Sequence, residues 1–187
     1  MPDQINGKLS PYLREQRFRA AERYLARGRV LDIGCGIGLL TRYVSADRYL
    51  GVDLDAGSVE EARRRNPTYR FMTLTDFAAH DPSEQFDAIV GLAIIEHVPD
   101  PKAWLAEMKR RLAPGGRMVL TTPHPKLEWA HTVGARLGLF SRAASDEHNV
   151  LIDQKLMKRF AGDTGLRVGE FKRFLCGANQ LFILHEA

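Results

Sequence analysis

A chain of 187 residues, 44% of them hydrophobic, is long enough to bury one full core and too short for two ordinary domains, so one domain over 1–187 is expected. The net charge of +4 and pI near 9.2 are modestly basic; no apolar run approaches a membrane span and the MPDQINGKLS start lacks a secretory apolar core, so a cytoplasmic protein is expected. Cys35 and Cys176, the two cysteines present, argue against a disulfide framework and read as small hydrophobes.

The first element is a helix within 1–28. Ser10-Pro11 supplies a cap and first turn, and Leu13, Ala20, Ala21, Tyr24 and Leu25 recur at helical spacing. Arg14, Arg17, Arg19, Arg23, Arg27 and Arg29 read as a solvated face, with a polyanion-binding surface as the alternative. VLDIGCGIG at 30–38 describes a buried strand running into a bend without side chains. A helix over 38–46 would then turn its free N–H groups toward a negatively charged or acceptor-rich ligand. The pyrophosphate fingerprint G-x-G-x-x-G is not met, because Leu39 stands where its last glycine belongs.

A second strand, 48–53, brings Asp53 to its carboxyl end, where an acid can accept from both hydroxyls of a ribose. A helix is read near 55–66, a strand at 69–74 and another at 86–92. Asp100-Pro101 opens a helix over 101–113 with Trp104, Leu105, Met108 and Leu112 as its apolar stripe, and Pro114-Gly115-Gly116 is expected to stop it. A strand at 116–122 follows. Beyond a long segment, 124–150, come a helix over 153–164 and strands at 167–174 and 178–185, whose short Cys-Gly-Ala link demands an antiparallel pair. This alternation predicts an α/β fold, a doubly wound parallel sheet of Rossmann-like type.

Taken in order, VLDIGCGIG, GVDLD, Asp76, QFDAIVGLAIIEHVPDP (85–101) and LAPGGRMVLTTP (112–123) resemble the class I S-adenosylmethionine-dependent methyltransferases. Within them the likeness is to the small-molecule group typified by quinone-biosynthesis enzymes (methyltransferase type 11), and it covers roughly Arg29 to Pro123. The resemblance implies a seven-stranded sheet with an antiparallel last strand and S-adenosyl-L-methionine as cofactor. Asp32 would hold the methionyl ammonium, or else tie down the bend formed by Gly34, Cys35, Gly36 and Gly38. Asp53 would take the ribose, with Leu54 against the adenine. Asp76 would accept from the adenine amino group with Phe77 beside the ring; the plainer alternatives are a helix cap for Asp76 and core positions for Leu54 and Phe77. Gly91, Leu92 and Ala93 would bring carbonyl oxygens to the sulfonium.

The acceptor side is read from the residues just past the fourth and fifth strands. His97, next to Glu96, is the first candidate base, with a capping or packing role as its alternative; His124 is the second, ahead of His131 and His148. The 124–150 segment mixes Leu127, Trp129, Val133, Leu137, Leu139 and Phe140 with Lys126, Arg136 and Arg142. It suits a cap over the acceptor, a helix packed on the core, or a surface that touches a membrane peripherally. No metal is expected: Asp146, Glu147, His148 and Asn149 are adjacent rather than convergent, and no zinc spacing occurs. Gly-Leu-Ala-Ile at 91–94, in place of the Asn/Asp-Pro-Pro-aromatic run of base-amine methyltransferases, argues against nucleic acid as partner, and neither cysteine is placed as a nucleophile. The expected function is methyl transfer to an oxygen or carbon of a small, partly apolar acceptor. A non-catalytic adenosylmethionine-binding module and a nicotinamide oxidoreductase stand as alternatives.

Overall fold

Seven strands lie side by side: β1 (Val30–Ile33), β2 (Tyr49–Asp53), β3 (Arg70–Thr73), β4 (Phe86–Leu92), β5 (Leu112–Pro123), β6 (Leu166–Phe174) and β7 (Asn179–Glu186). They form one sheet in the order β3-β2-β1-β4-β5-β7-β6 in the computed structural model, which describes residues 10–125 and 151–187. The pairs among β1 to β5 are parallel, whereas β7 runs antiparallel to both β5 and β6. The α/β class and the reversed last strand expected from the sequence are those observed. VLDI is buried throughout, as a strand covered on both faces requires.

Alternate side chains divide between two cores. One face carries Leu31, Ile33, Ile89, Leu120 and Phe182 beneath α4 (Pro101–Arg110) and α5 (Gln154–Asp163), which contribute Leu105, Met108, Met157 and Ala161. The other carries Val30, Val90, Val119, Leu181 and Ile183 beneath α1 (Ser10–Glu22) and α2 (Ala56–Arg65). Phe18, missing from the stripe read in the sequence, is buried in that second core with Ala21, Tyr24 and Leu25.

Three expectations are corrected. The helix expected over 38–46 is instead two 3-10 turns, Leu39–Tyr43 and Ala46–Arg48. The connection between β1 and β2 spans only 34–48, and Val44 is already extended at φ −136°, so no α-helix is propagated. A helix entered in the sequence reading only through the cap considered for Asp76, α3 (Leu74–Ala79), follows β3; its cap is Thr73, whose hydroxyl accepts from Asp76 N–H at 3.1 Å. Pro114-Gly115-Gly116 does not stop α4. The helix ends at Arg110, and the sheet takes the chain earlier, with Phe86 N–H donating to Arg111 O at 2.8 Å and Leu112 opposite Phe86. The glycines then form an irregularity inside β5.

The start of α4 is as read from the sequence: the Asp100 carboxylate accepts from Ala103 N–H at 2.9 Å and Pro101 occupies the first turn. No helix among the described residues is long and apolar enough to cross a membrane. Replacing the cap, Asp100→Ala, is expected to lower unfolding stability by about 1 kcal/mol in urea titration without changing the slope of the transition.

Candidate functional site

At the carboxyl end of β1 the chain folds back over its neighbour. Gly34 N–H and Cys35 N–H both donate to Val52 O, at 2.8 and 3.1 Å, and Gly36 N–H donates to Asp53 Oδ2 at 2.7 Å. The other Asp53 oxygen accepts from Asp55 N–H at 3.0 Å. Tying the glycine bend, one of the two roles read for Asp32, therefore falls to Asp53 in this structure.

The three glycines face different surroundings. A Cβ at Gly34 would meet Ile94 and one at Gly38 would meet Phe71 Cζ at 2.7 Å, and both residues hold a left-handed φ, +76° and +77°, so the fold itself favours glycine at each. Gly36 alone of the three faces open space, with nothing within 4 Å of its added Cβ and a left-handed φ of +52°. The backbone of Gly34 is nonetheless exposed and that of Gly36 half-buried, whereas Gly38 is buried. Cys35 is buried and free, and burial pushes its thiol up, away from the thiolate a nucleophile needs.

Asp32 lies under the bend, 4% exposed, and accepts a hydrogen bond from the Tyr49 hydroxyl at 2.7 Å. Desolvation pushes its carboxyl up to about 7; the Tyr49 hydrogen bond opposes the rise and the Asp53 charge adds to it. Leu54, directly after Asp53, is 76% exposed. Asp76 is exposed in the first turn of α3, with Thr73 rather than Asp76 acting as the cap. Phe77 is placed otherwise than a ring flanking adenine: it is 3% exposed, packed in the core beneath the Arg111 guanidinium, 4.8 Å from its ring centroid.

Across the crevice, β4 ends at Gly91 and Leu92, the latter half-buried against the core beneath α1. Ala93 follows at φ 59°, a left-handed conformation that costs a non-glycine residue about 1 kcal/mol, and donates its N–H to Thr121 O at 2.9 Å. The next turn (Ile95–His97) carries Glu96 to 1% exposure with Oε2 unpartnered. Burial raises the Glu96 carboxyl, while Arg17, His97 and Thr122 act against that rise. Half-buried His97 is therefore its electrostatic neighbour. His124 is 4% exposed just past β5, its N–H donating to Ala178 O at 2.8 Å.

Arg17 departs from the solvated face assigned to α1. Its Nε donates to Asn179 Oδ1 at 3.1 Å, and its charge bears on Glu96. Asn179 is fully buried with Nδ2 unpartnered, as are the hydroxyls of Thr121 and Thr122. Glu96 and Asn179 were not among the candidate site residues read from the sequence. Their signal was a carboxylate inside the apolar AIIEHV run and an amide opening the apolar NQLFIL run. The readings made on 126–150, including His131, His148 and the 146–149 cluster, lie outside the described residues.

Because Asp32 has a higher pKa in the folded chain than the ~4 of an unfolded aspartate, the protein binds more protons folded than unfolded between those values. Its contribution is fully present below about pH 4 and is lost as pH rises through about 7, by an order of a few kcal/mol. Denaturant titrations of wild type and Asp32→Asn over that window should therefore diverge, the wild type losing more stability toward pH 7; parallel curves would refute a raised carboxyl.

Residues 5–170 match the family described as "Methyltransferase domain". A ubiquinone biosynthesis O-methyltransferase of Xanthomonas oryzae pv. oryzae (strain PXO99A) is 37% identical over 113 residues, 56% of this chain and 47% of that protein. The enzyme of the same name from Pseudomonas syringae pv. tomato is 31% identical over 156 residues, 77% of this chain and 66% of the relative. The chain thus spans about half the length of the first of these and two-thirds of the second. A solved DhpI–SAH complex superposes with a TM-score of 0.71 at 20% identity, covering 95% of this chain and 87% of that one, a likeness of fold.

Proposed function

This chain belongs to the methyltransferase domain family, and on that premise we propose that it moves a methyl group from S-adenosylmethionine to an oxygen or carbon of a small, partly apolar acceptor. The observation that carries this reading is the open space above Gly36, beside the Asp53 carboxylate and over buried Asp32. Bare backbone there, with one acid for ribose hydroxyls and another for an ammonium, fits a sulfonium nucleoside. Asp53 can serve, since a carboxylate that accepts from Gly36 and Asp55 still has lone pairs for two hydroxyls. Exposed Leu54 offers an apolar surface to the adenine face, and exposed Asp76 an acceptor for its amino group.

When bound, the cofactor supplies a methyl carbon already activated by cationic sulfur. What the chain must add is alignment of the acceptor and exclusion of water. The end of β4 at Gly91 and Leu92 offers carbonyl oxygens to positive charge. With the cofactor bound, an acceptor hydroxyl would give up its proton as its oxygen bonded to the methyl carbon, the electron pair of the broken carbon–sulfur bond staying on sulfur. His97, in the turn after β4 and beside Glu96, takes that proton in this reading. His124, at the end of β5, is the second base in this reading. The oxygen acceptor is supported by the name both relatives carry. A cytoplasmic setting belongs to the same proposal, supported by two free thiols.

Calorimetry with S-adenosylhomocysteine tests the premise: wild type should bind, and Asp53→Ala should bind at least about 30-fold more weakly, the loss of charge-assisted hydrogen bonds. Retained affinity in that variant, or a thermal shift with NAD and none with S-adenosylhomocysteine, overturns the reading. With an acceptor from a screen of phenols and polyprenyl-linked compounds, His97→Ala should lower kcat about 100-fold with S-adenosylhomocysteine affinity unchanged.

A further inference from the structure

The end of the sheet opposite the glycine bend brings three arginines, Arg23, Arg27 and Arg117, to one cavity, with the carboxylates of Glu170 and Asp87 beside Arg23 and Arg29. Val30, the first residue of β1, stands in line with Ala88 of β4 and Arg117 of β5, just after the irregularity in β5. One residue beyond the Met118–Leu184 pair, the register sets Arg117 beside His185, and His185 is itself opposite Arg167. Arg117 alternates with Met118 and so shares a face with Val119, the face that α1 covers. Here α1 has ended, and the chain after it leaves a cavity of about 160 Å³ lined by Arg23, Tyr24, Ala26, Arg27 and Arg117.

The charges in this cavity are unequally matched. Arg23 donates to Glu170 and to the Tyr24 hydroxyl. Arg117 Nε is buried without a hydrogen-bond partner. A charged donor stripped of water and left unpaired is costly, and an anion that completes it removes the cost. His185 and Arg167 extend the same surface: a Cβ added at Gly169 would lie 3.1 Å from His185 Nε2 and 3.7 Å from Arg167 Nη1.

We propose that this cavity is a binding site for a phosphate oxyanion. Guanidinium groups converging from α1's exit loop and from β5 match the two-pronged geometry of phosphate oxygens. The volume suits one phosphate or pyrophosphate group. Tyr24, the aromatic residue lining it, is only 9% exposed and offers no stacking platform for a base. The site lies at the amino ends of the strands, whereas Gly36 and Asp53 lie at the carboxyl ends, so it is separate from the crevice of the proposed reaction. The phosphate belongs either to a soluble phosphate ester or to a lipid headgroup.

Titration of the full chain with inorganic pyrophosphate at low ionic strength, followed by calorimetry and NMR, should give saturable binding that S-adenosylhomocysteine does not displace. Arg27→Met, at an exposed position, should weaken it at least 10-fold, and Arg27→Met with Arg117→Met further, while S-adenosylhomocysteine affinity stays within twofold. Co-sedimentation with phosphatidylglycerol vesicles, against phosphatidylcholine vesicles, separates the sources. Retention on the anionic vesicles alone, lost in the double variant, assigns a headgroup; saturable pyrophosphate binding without retention assigns a soluble ester. Absence of both, or equal binding by the variants, overturns the proposal. Far-UV circular dichroism of each variant verifies the fold, so a failure of S-adenosylhomocysteine to bind bears on the methyl-transfer reading alone.

Discussion

The hydrogen bond from Gly36 N–H to Asp53 Oδ2 is the constraint on which the crevice depends. It joins the bend after β1 to the last residue of β2, two strands already held in register by the pairing of Asp32 with Gly51. Without it the bend would be tied to β2 through Val52 O, which receives Gly34 and Cys35, and Gly36 would lose its tie to that strand. A carboxylate that both shapes the bend and faces the crevice couples the two: whatever draws on Asp53 from the crevice also acts on the loop. The bend is therefore held by a group that a ligand would share.

Around that point the protein keeps an unusual amount of polarity out of water. Asp32 and Glu96 are each nearly inaccessible, and each is opposed by a different partner, the Tyr49 hydroxyl for one and the Arg17 charge for the other. Thr121, Thr122 and Asn179 add unpartnered polar atoms at the ends of β5 and β7. Such groups are expensive in a folded chain, and they gather at the carboxyl ends of the strands, where open α/β sheets receive ligands. Stability is held in the two apolar cores, while the strand ends hold the groups able to do chemistry.

Much of this was legible in the residues. Strand positions followed from apolar runs bounded by turn residues, and Asp100-Pro101 marked a helix start that the structure reproduces. What local pattern could not supply was competition between neighbours. The 3-10 turns after Gly38 arise from the short distance back to β2, and β5 begins at Leu112 because Phe86 is waiting to pair with it. The same holds for single side chains. Gly34 answers to Ile94 and Phe77 to Arg111, and Arg17 leaves its helix face for Asn179, a residue 162 positions away. Each of these contacts is made across the sheet, beyond the reach of any local window.

One of the two edge strands, β6, has β7 as its one strand neighbour among the described residues. It is irregular between Val168 and Glu170, and Arg167, Lys172 and Arg173 along it are exposed. A kinked ribbon bearing repeated positive charge is a poor template for a strand from another molecule, because the intruder must match a broken ladder and approach like charges. That margin of the sheet is thereby poorly able to recruit a newcomer.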